Sequence, residues 1–187
     1  FRFRHPLQIF SGDSGTFVKS EQEMKDALAY YLELAEKQDP RLVEWRDKGL
    51  EFNTRADQLI ASAKAGTLVV TPENFWELYR VCENVMLYDT VIPFRVMSSI
   101  NTAVEARGET PEELKHALEL FEPFRAGAKY PQLVDEVFPL FWKLAAQKSG
   151  IADYQLLSNT TALELKAYFE GGTPPDEDTL KKRGEWC

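Results

Sequence analysis

The sequence predicts an all-α protein with about seven helices in an irregular bundle, preceded by a short irregular N-terminal arm. Three observations support this fold class. Helix-start signals recur along the chain, apolar residues repeat at three- and four-residue steps, and glycine or proline follows most of these segments. The one run with strand-like composition, residues 67–71, is too short and isolated to make a sheet.

The composition limits the classes of function. The chain has 187 residues, the size of one domain, and 44% of them are hydrophobic, which is enough for a core. Its formal net charge is −8, which argues against binding nucleic-acid phosphates, and no apolar run is long enough for a membrane span. We therefore expect neither nucleic acid nor membrane as a partner. The two cysteines suggest no disulfide framework, which favours a reducing, cytoplasmic location.

We divide the chain into an N-terminal arm at residues 1–19, a helical bundle at 20–150 and a C-terminal helical linker segment at 151–187. The arm is punctuated by Pro6, Gly12 and Gly15 and has no helical period. Because the chain begins with phenylalanine rather than methionine, we expect the natural protein to begin upstream of it.

Two helices open the bundle. Ser20–Glu23 has the pattern of a capping box, and apolar residues continue on one face as far as Lys37. Asp39–Pro40 combines an N-cap with proline at the first helical position and predicts a second helix that ends at Gly66. Gly49 is a weak point of this helix, where it could bend.

Residues 71–108 form the longest apolar segment and organise the bundle. Thr71–Pro72 predicts a helix start, and Gly108 predicts a left-handed helix end. Pro93 must kink or break the helix between them. Apolar residues surround Pro93 on nearly all sides, which is typical of a helix buried among others.

Further helix starts are each indicated by an N-cap or by proline at the first position. They lie at Thr110–Glu113, a second predicted capping box, at Tyr130–Pro131, at Thr161–Glu164, a third capping box, and at Asp176 or Asp178. Helix ends are indicated by Pro123, by Gly150 and by the linker at residues 171–175, and Pro139 predicts a kink.

The sequence contains no recognisable catalytic set. There is no P-loop, no dinucleotide-binding glycine motif and no Ser/His/Asp constellation. His5 and His116 are the only histidines, and neither has a second ligand at metal-binding spacing. We therefore predict no catalytic residue, no metal site and no cofactor in this chain.

One set of polar residues lies inside the apolar central segment and is the candidate for substrate binding. Its members are Arg80, Glu83, Asn84, Tyr88, Asp89 and Arg95. The first three are three and four residues apart and share one helix face. Such a stripe faces solvent, forms an internal polar network, or lines a pocket opened by the Pro93 kink. The first two interpretations are the commoner ones, and the pocket is the functional alternative.

The C-terminal stretch, residues 150–186, carries a family resemblance. A leucine-rich turn is followed by a T-x-x-E-L helix, a glycine and proline linker and an L-x-x-R helix. The residues that carry the pattern are Leu156, Leu157, Thr161, Glu164, Leu165, Gly171, Gly172, Pro174, Leu180 and Arg183. This order resembles the region just before the swivelling phosphohistidine domain of phosphoenolpyruvate-utilising enzymes, such as phosphoenolpyruvate synthases and rifampicin phosphotransferases.

The resemblance implies a helical substrate-binding or linker domain of an ATP-dependent phosphotransferase-like protein that is not catalytic alone. Its implied partners are ATP-grasp and phosphohistidine domains, on the same or a partner protein, and a small-molecule acceptor. This chain has neither active domain, so no catalytic residue can be carried over. The alternative is a self-contained helical interaction or scaffold module without a small-molecule ligand.

Overall fold

The computed structural model describes residues 7–11, 14–18, 21–124 and 128–185. The helices are α1 Glu21–Glu36, α2 Pro40–Lys64, α3 Phe75–Val85, α4 Ile92–Arg107, α5 Glu112–Phe121, α6 Tyr130–Glu136, α7 Phe138–Ser149, α8 Ala162–Phe169 and α9 Glu177–Gly184. A π-helical turn, Met86–Val91, joins α3 to α4, and 3-10 turns lie at Glu122–Phe124 and Tyr154–Asn159. The all-α prediction is confirmed. Within the described ranges the number of helices is seven if α3–α4 and α6–α7 are each counted as one kinked helix.

The predicted irregular arm contains a short hairpin. Strands β1, Leu7–Ser11, and β2, Ser14–Val18, pair in antiparallel register from Leu7 with Val18 to Ser11 with Ser14. The residues between the two strands in the sequence are Gly-Asp, a dipeptide that favours hairpin loops of two residues. The sequence analysis did not use this dipeptide and predicted an irregular arm, where the structure has a hairpin.

Most of the predicted helix ends are confirmed. The Asp39 side chain accepts a hydrogen bond from the Arg41 amide, and Asp176 accepts one from the Thr179 amide. Gly108 and Gly150 end their helices in the left-handed conformation. The capping box predicted at Thr110–Glu113 is wrong: Pro111 is the N-cap residue of α5, and no side chain caps that helix. Ser20, which begins the first predicted capping box, lies outside the described residues.

Two hydrophobic clusters make up the core, and α2 contributes to both. The first packs α1, the N-terminal part of α2, α4 and α5 around buried residues that include Tyr31, Trp45 and Phe121. The second packs the C-terminal part of α2 with α3, α6 and α7, and it also contains Leu157, Leu165, Phe169 and Leu180 from the C-terminal segment. The described part of the segment predicted as a linker is therefore packed into the same core as the bundle.

Gly49 lets α2 approach the π-helical turn closely. The helix runs unbroken through this buried glycine. A Cβ atom at position 49 would lie 2.7 Å from the Phe124 ring and 2.9 Å from the Tyr88 carbonyl oxygen. Real Cβ atoms do not approach other atoms so closely, so the absence of a side chain is required here. The weak point noted in the sequence thus marks a tight helix contact.

The predicted interruption at Pro93 takes the form of the π-helical turn. Proline has no N–H to donate to the carbonyl four residues earlier, which is that of Asp89. The Ile92 amide instead bonds to the Leu87 carbonyl, five residues back. The chain then continues directly into α4, with Pro93 buried in its first turn. The turn widens the helix at the place where the candidate polar residues are concentrated.

Candidate functional site

Three of the six candidate residues lie on α3. Arg80 and Glu83 are exposed to solvent, and Asn84 is partly buried. The Asn84 side-chain amide donates a 2.8 Å hydrogen bond to the Arg80 carbonyl, one turn earlier in the same helix. These three residues therefore occupy the solvent face that was the first interpretation of the stripe. Arg80 and Glu83 keep charged groups available at the surface.

Asp89 has a different environment, because its side chain is only 2% exposed. Its two carboxylate oxygens accept hydrogen bonds of 2.7 Å each, one from the Asn53 side-chain amide on α2 and one from the Lys129 backbone amide. Lys129 is the N-cap residue of α6, so the carboxylate also lies at the positive end of a helix. Asp89 thus ties the π-helical turn to α2 and α6, as the internal-network interpretation of the stripe predicts.

The polar contacts around Asp89 extend to the surface. The Lys129 ammonium group lies 2.8 Å from an Asp57 carboxylate oxygen on α2. Two buried oxygens at the same junction, Asn53 Oδ1 and Thr90 Oγ1, have no hydrogen-bond partner among the described residues. Buried polar atoms are normally paired, so the two unpaired oxygens lower the stability of this junction.

Tyr88 and Arg95 turn toward different helices. The Tyr88 ring stacks on Phe52 of α2 at a centroid distance of 5.8 Å, and the Lys48 ammonium lies 5.6 Å from the same ring. Arg95 on α4 interacts with buried Tyr31 on α1. Burial raises the pKa of Tyr31, and the hydrogen-bonded Arg95 guanidinium opposes that shift. The six candidates therefore contact different neighbours and do not form one cluster.

A second polar arrangement lies in the C-terminal segment and centres on Glu164. Its carboxylate accepts hydrogen bonds from the Thr161 amide at 2.8 Å and from two Arg183 guanidinium nitrogens at 2.8 and 2.9 Å. The Glu164 amide in turn bonds to the Thr161 hydroxyl, which completes the predicted capping box. The Arg183 guanidinium is the main cause that lowers the pKa of Glu164 to about 2. One carboxylate therefore fixes the start of α8 and joins it to α9.

Asn159 adds a second connection between the 3-10 turn and α9. Its side-chain amide donates a 3.0 Å hydrogen bond to the Leu180 carbonyl, and its backbone carbonyl accepts one of 3.3 Å from the Arg183 guanidinium. A Cβ atom on Gly184 would lie 2.8 Å from the Asn159 amide nitrogen, so glycine allows this close packing. The last turn of α9 is thus held at several points.

Two surface grooves border the C-terminal segment. One, of about 540 Å³, lies between the end of the 3-10 turn and α9 and is lined by Ser158, Asn159, Thr160, Thr161, Thr179, Lys182 and Arg183. The other, of about 360 Å³, lies between the start of α3 and α8 and is lined by Pro72, Glu73, Phe75, Trp76, Lys166, Phe169 and Glu170. Neither contains any of the six candidate residues, and the ligand pocket near Pro93 stays a prediction.

The hydrogen-bond partners of Asp89 and the ion pair between Glu164 and Arg183 were not predicted from the sequence. Asn53 and Lys129 were not recognised, although Asn53 lies on the buried stripe of α2 that runs through Gly49, Ala56 and Ile60. A polar residue on an apolar stripe is a usable signal for a buried hydrogen bond. Glu164 and Arg183 were named only as motif residues, and their 19-residue separation hid the ion pair.

Within the described ranges, no group of three or more His, Cys, Asp or Glu side chains could hold a metal ion. None of the helices described has both the length and the apolar character needed to cross a membrane. Comparison with family models, curated proteins and solved structures gave no match for this chain.

Proposed function

We propose that this chain is the helical substrate-binding or linker module of a phosphoenolpyruvate-utilising, ATP-dependent phosphotransferase-like protein. It acts without catalytic residues of its own, beside ATP-grasp and phosphohistidine domains on the same or a partner protein. The observation that carries the proposal is the Glu164–Arg183 ion pair. It joins the two helices that the family pattern names, in a segment otherwise built from common capping and packing residues.

The other residues of the pattern support the same interpretation through their packing. Leu157, Leu165 and Leu180 are buried in the second core cluster. Gly171 adopts a φ of +105°, which few other residues tolerate, and a Cβ on Gly172 would lie 2.8 Å from the Ala167 carbonyl oxygen. The segment is therefore a firmly packed joint. A domain joined after α9 would pivot at the end of that helix rather than along a loose tail.

The candidate polar residues divide between two roles in this proposal. Arg80, Glu83 and Asn84 lie at the surface of α3, where they can contact an acceptor molecule. Asp89 and Arg95 make internal contacts to neighbouring helices, so they would position the site rather than touch the acceptor. A π-helical turn beside these residues fits a binding role, since such turns are frequent at functional sites.

The test begins with the natural full-length protein, isolated from its source and measured by intact mass and peptide sequencing. The purified protein is then incubated with ³²P-labelled phosphoenolpyruvate, together with any partner that co-purifies. We expect acid-labile, base-stable label on a histidine outside residues 1–187. A natural protein with no such domain, on its own chain or on a stable partner, would refute the proposal.

The alternative, a self-contained interaction module, is favoured by one observation. Phe94, directly after Pro93, is 67% exposed, and Met86 in the π-helical turn is 38% exposed. Large apolar side chains at a surface are common singly but mark contact sites when they cluster. Photo-crosslinking from a photoreactive amino acid placed at position 94 tests this hypothesis. Crosslinks to one separate protein, with no phosphohistidine domain in the natural chain, would favour the alternative.

A further inference from the structure

We draw no further inference here: the strongest candidate, the buried polar junction between α2 and the π-helical turn, where Asn53 Oδ1 and Thr90 Oγ1 have no hydrogen-bond partner among the described residues, carries no binding site, because nothing in the structure shows that the two oxygens face one common ligand.

Discussion

Glu164 shows how one side chain can serve two elements. It completes the capping box of α8 and forms a bidentate ion pair with Arg183 on α9. Glutamine can keep the capping hydrogen bonds but has no charge. The change Glu164→Gln therefore isolates the ion pair from the cap.

We expect Glu164→Gln to lower the free energy of unfolding by about 1 kcal/mol at pH 7, a value reduced for solvent screening of a partly exposed pair. The folded-state pKa of Glu164 is lowered from 4.5 to about 2, so the stabilisation is present above pH 4.5 and is lost as the pH falls toward 2. Urea unfolding between pH 7 and 2 measures this, and the two proteins should converge at the acid end. A difference that stays constant with pH would contradict the assignment.

Asp89 is the buried charge whose removal should cost most. In Asp89→Ala, the Asn53 amide and the Lys129 amide lose their acceptor while they remain largely inside the protein. We expect a loss of about 3–5 kcal/mol in the free energy of unfolding, measured in urea. Asp57→Ala is the control, because it removes a surface carboxylate from the same network and should cost about 1 kcal/mol or less. Equal losses would show that Asp89 has no special role.

At the level of the helix, the close packing around Gly49 predicts that alanine at this position destabilises the protein, although helix propensity alone predicts the opposite. Alanine is the better helix former by about 1 kcal/mol, yet Gly49→Ala should destabilise the protein by about 1–3 kcal/mol. The reason is the collision of the new methyl group with Phe124 and the Tyr88 carbonyl. Thr54→Ala, at an exposed position of the same helix, should be neutral or slightly stabilising. Thermal unfolding of both variants distinguishes contact from propensity.

The sequence predicted helix ends well, because those signals are local. Thr161 and Glu164 are three residues apart, and Gly108 needs only its own backbone conformation. The form of the break at Pro93 could not be predicted in the same way. Asp89, in the π-helical turn, bonds to residues 36 and 40 positions away. Sequence reasoning could name Asp89 as a candidate but could not decide that it faces inward.

For the whole molecule, the two core clusters share α2 and should unfold together. Trp45 is buried in the first cluster, and Trp76 packs against the second. Variants in which Trp45 or Trp76 is the sole tryptophan, with the other three of the four replaced by phenylalanine, should give the same urea midpoint by fluorescence, since small single domains unfold cooperatively. Circular dichroism of each variant is the control for changes in stability. Separate midpoints would mean that the C-terminal half forms its own unit.

The position of Asn159 has a consequence for how this protein would be processed. Asn159-Thr160-Thr161 matches the acceptor sequence for N-linked glycosylation, and the glycan would attach to the side-chain amide nitrogen. That nitrogen is bound to the Leu180 carbonyl and faces Gly184 at close range. In a secreted copy of this chain, a sugar could be added only before α9 docks. The fraction of molecules that carry the glycan would then record the competition between glycosylation and docking of the last helix.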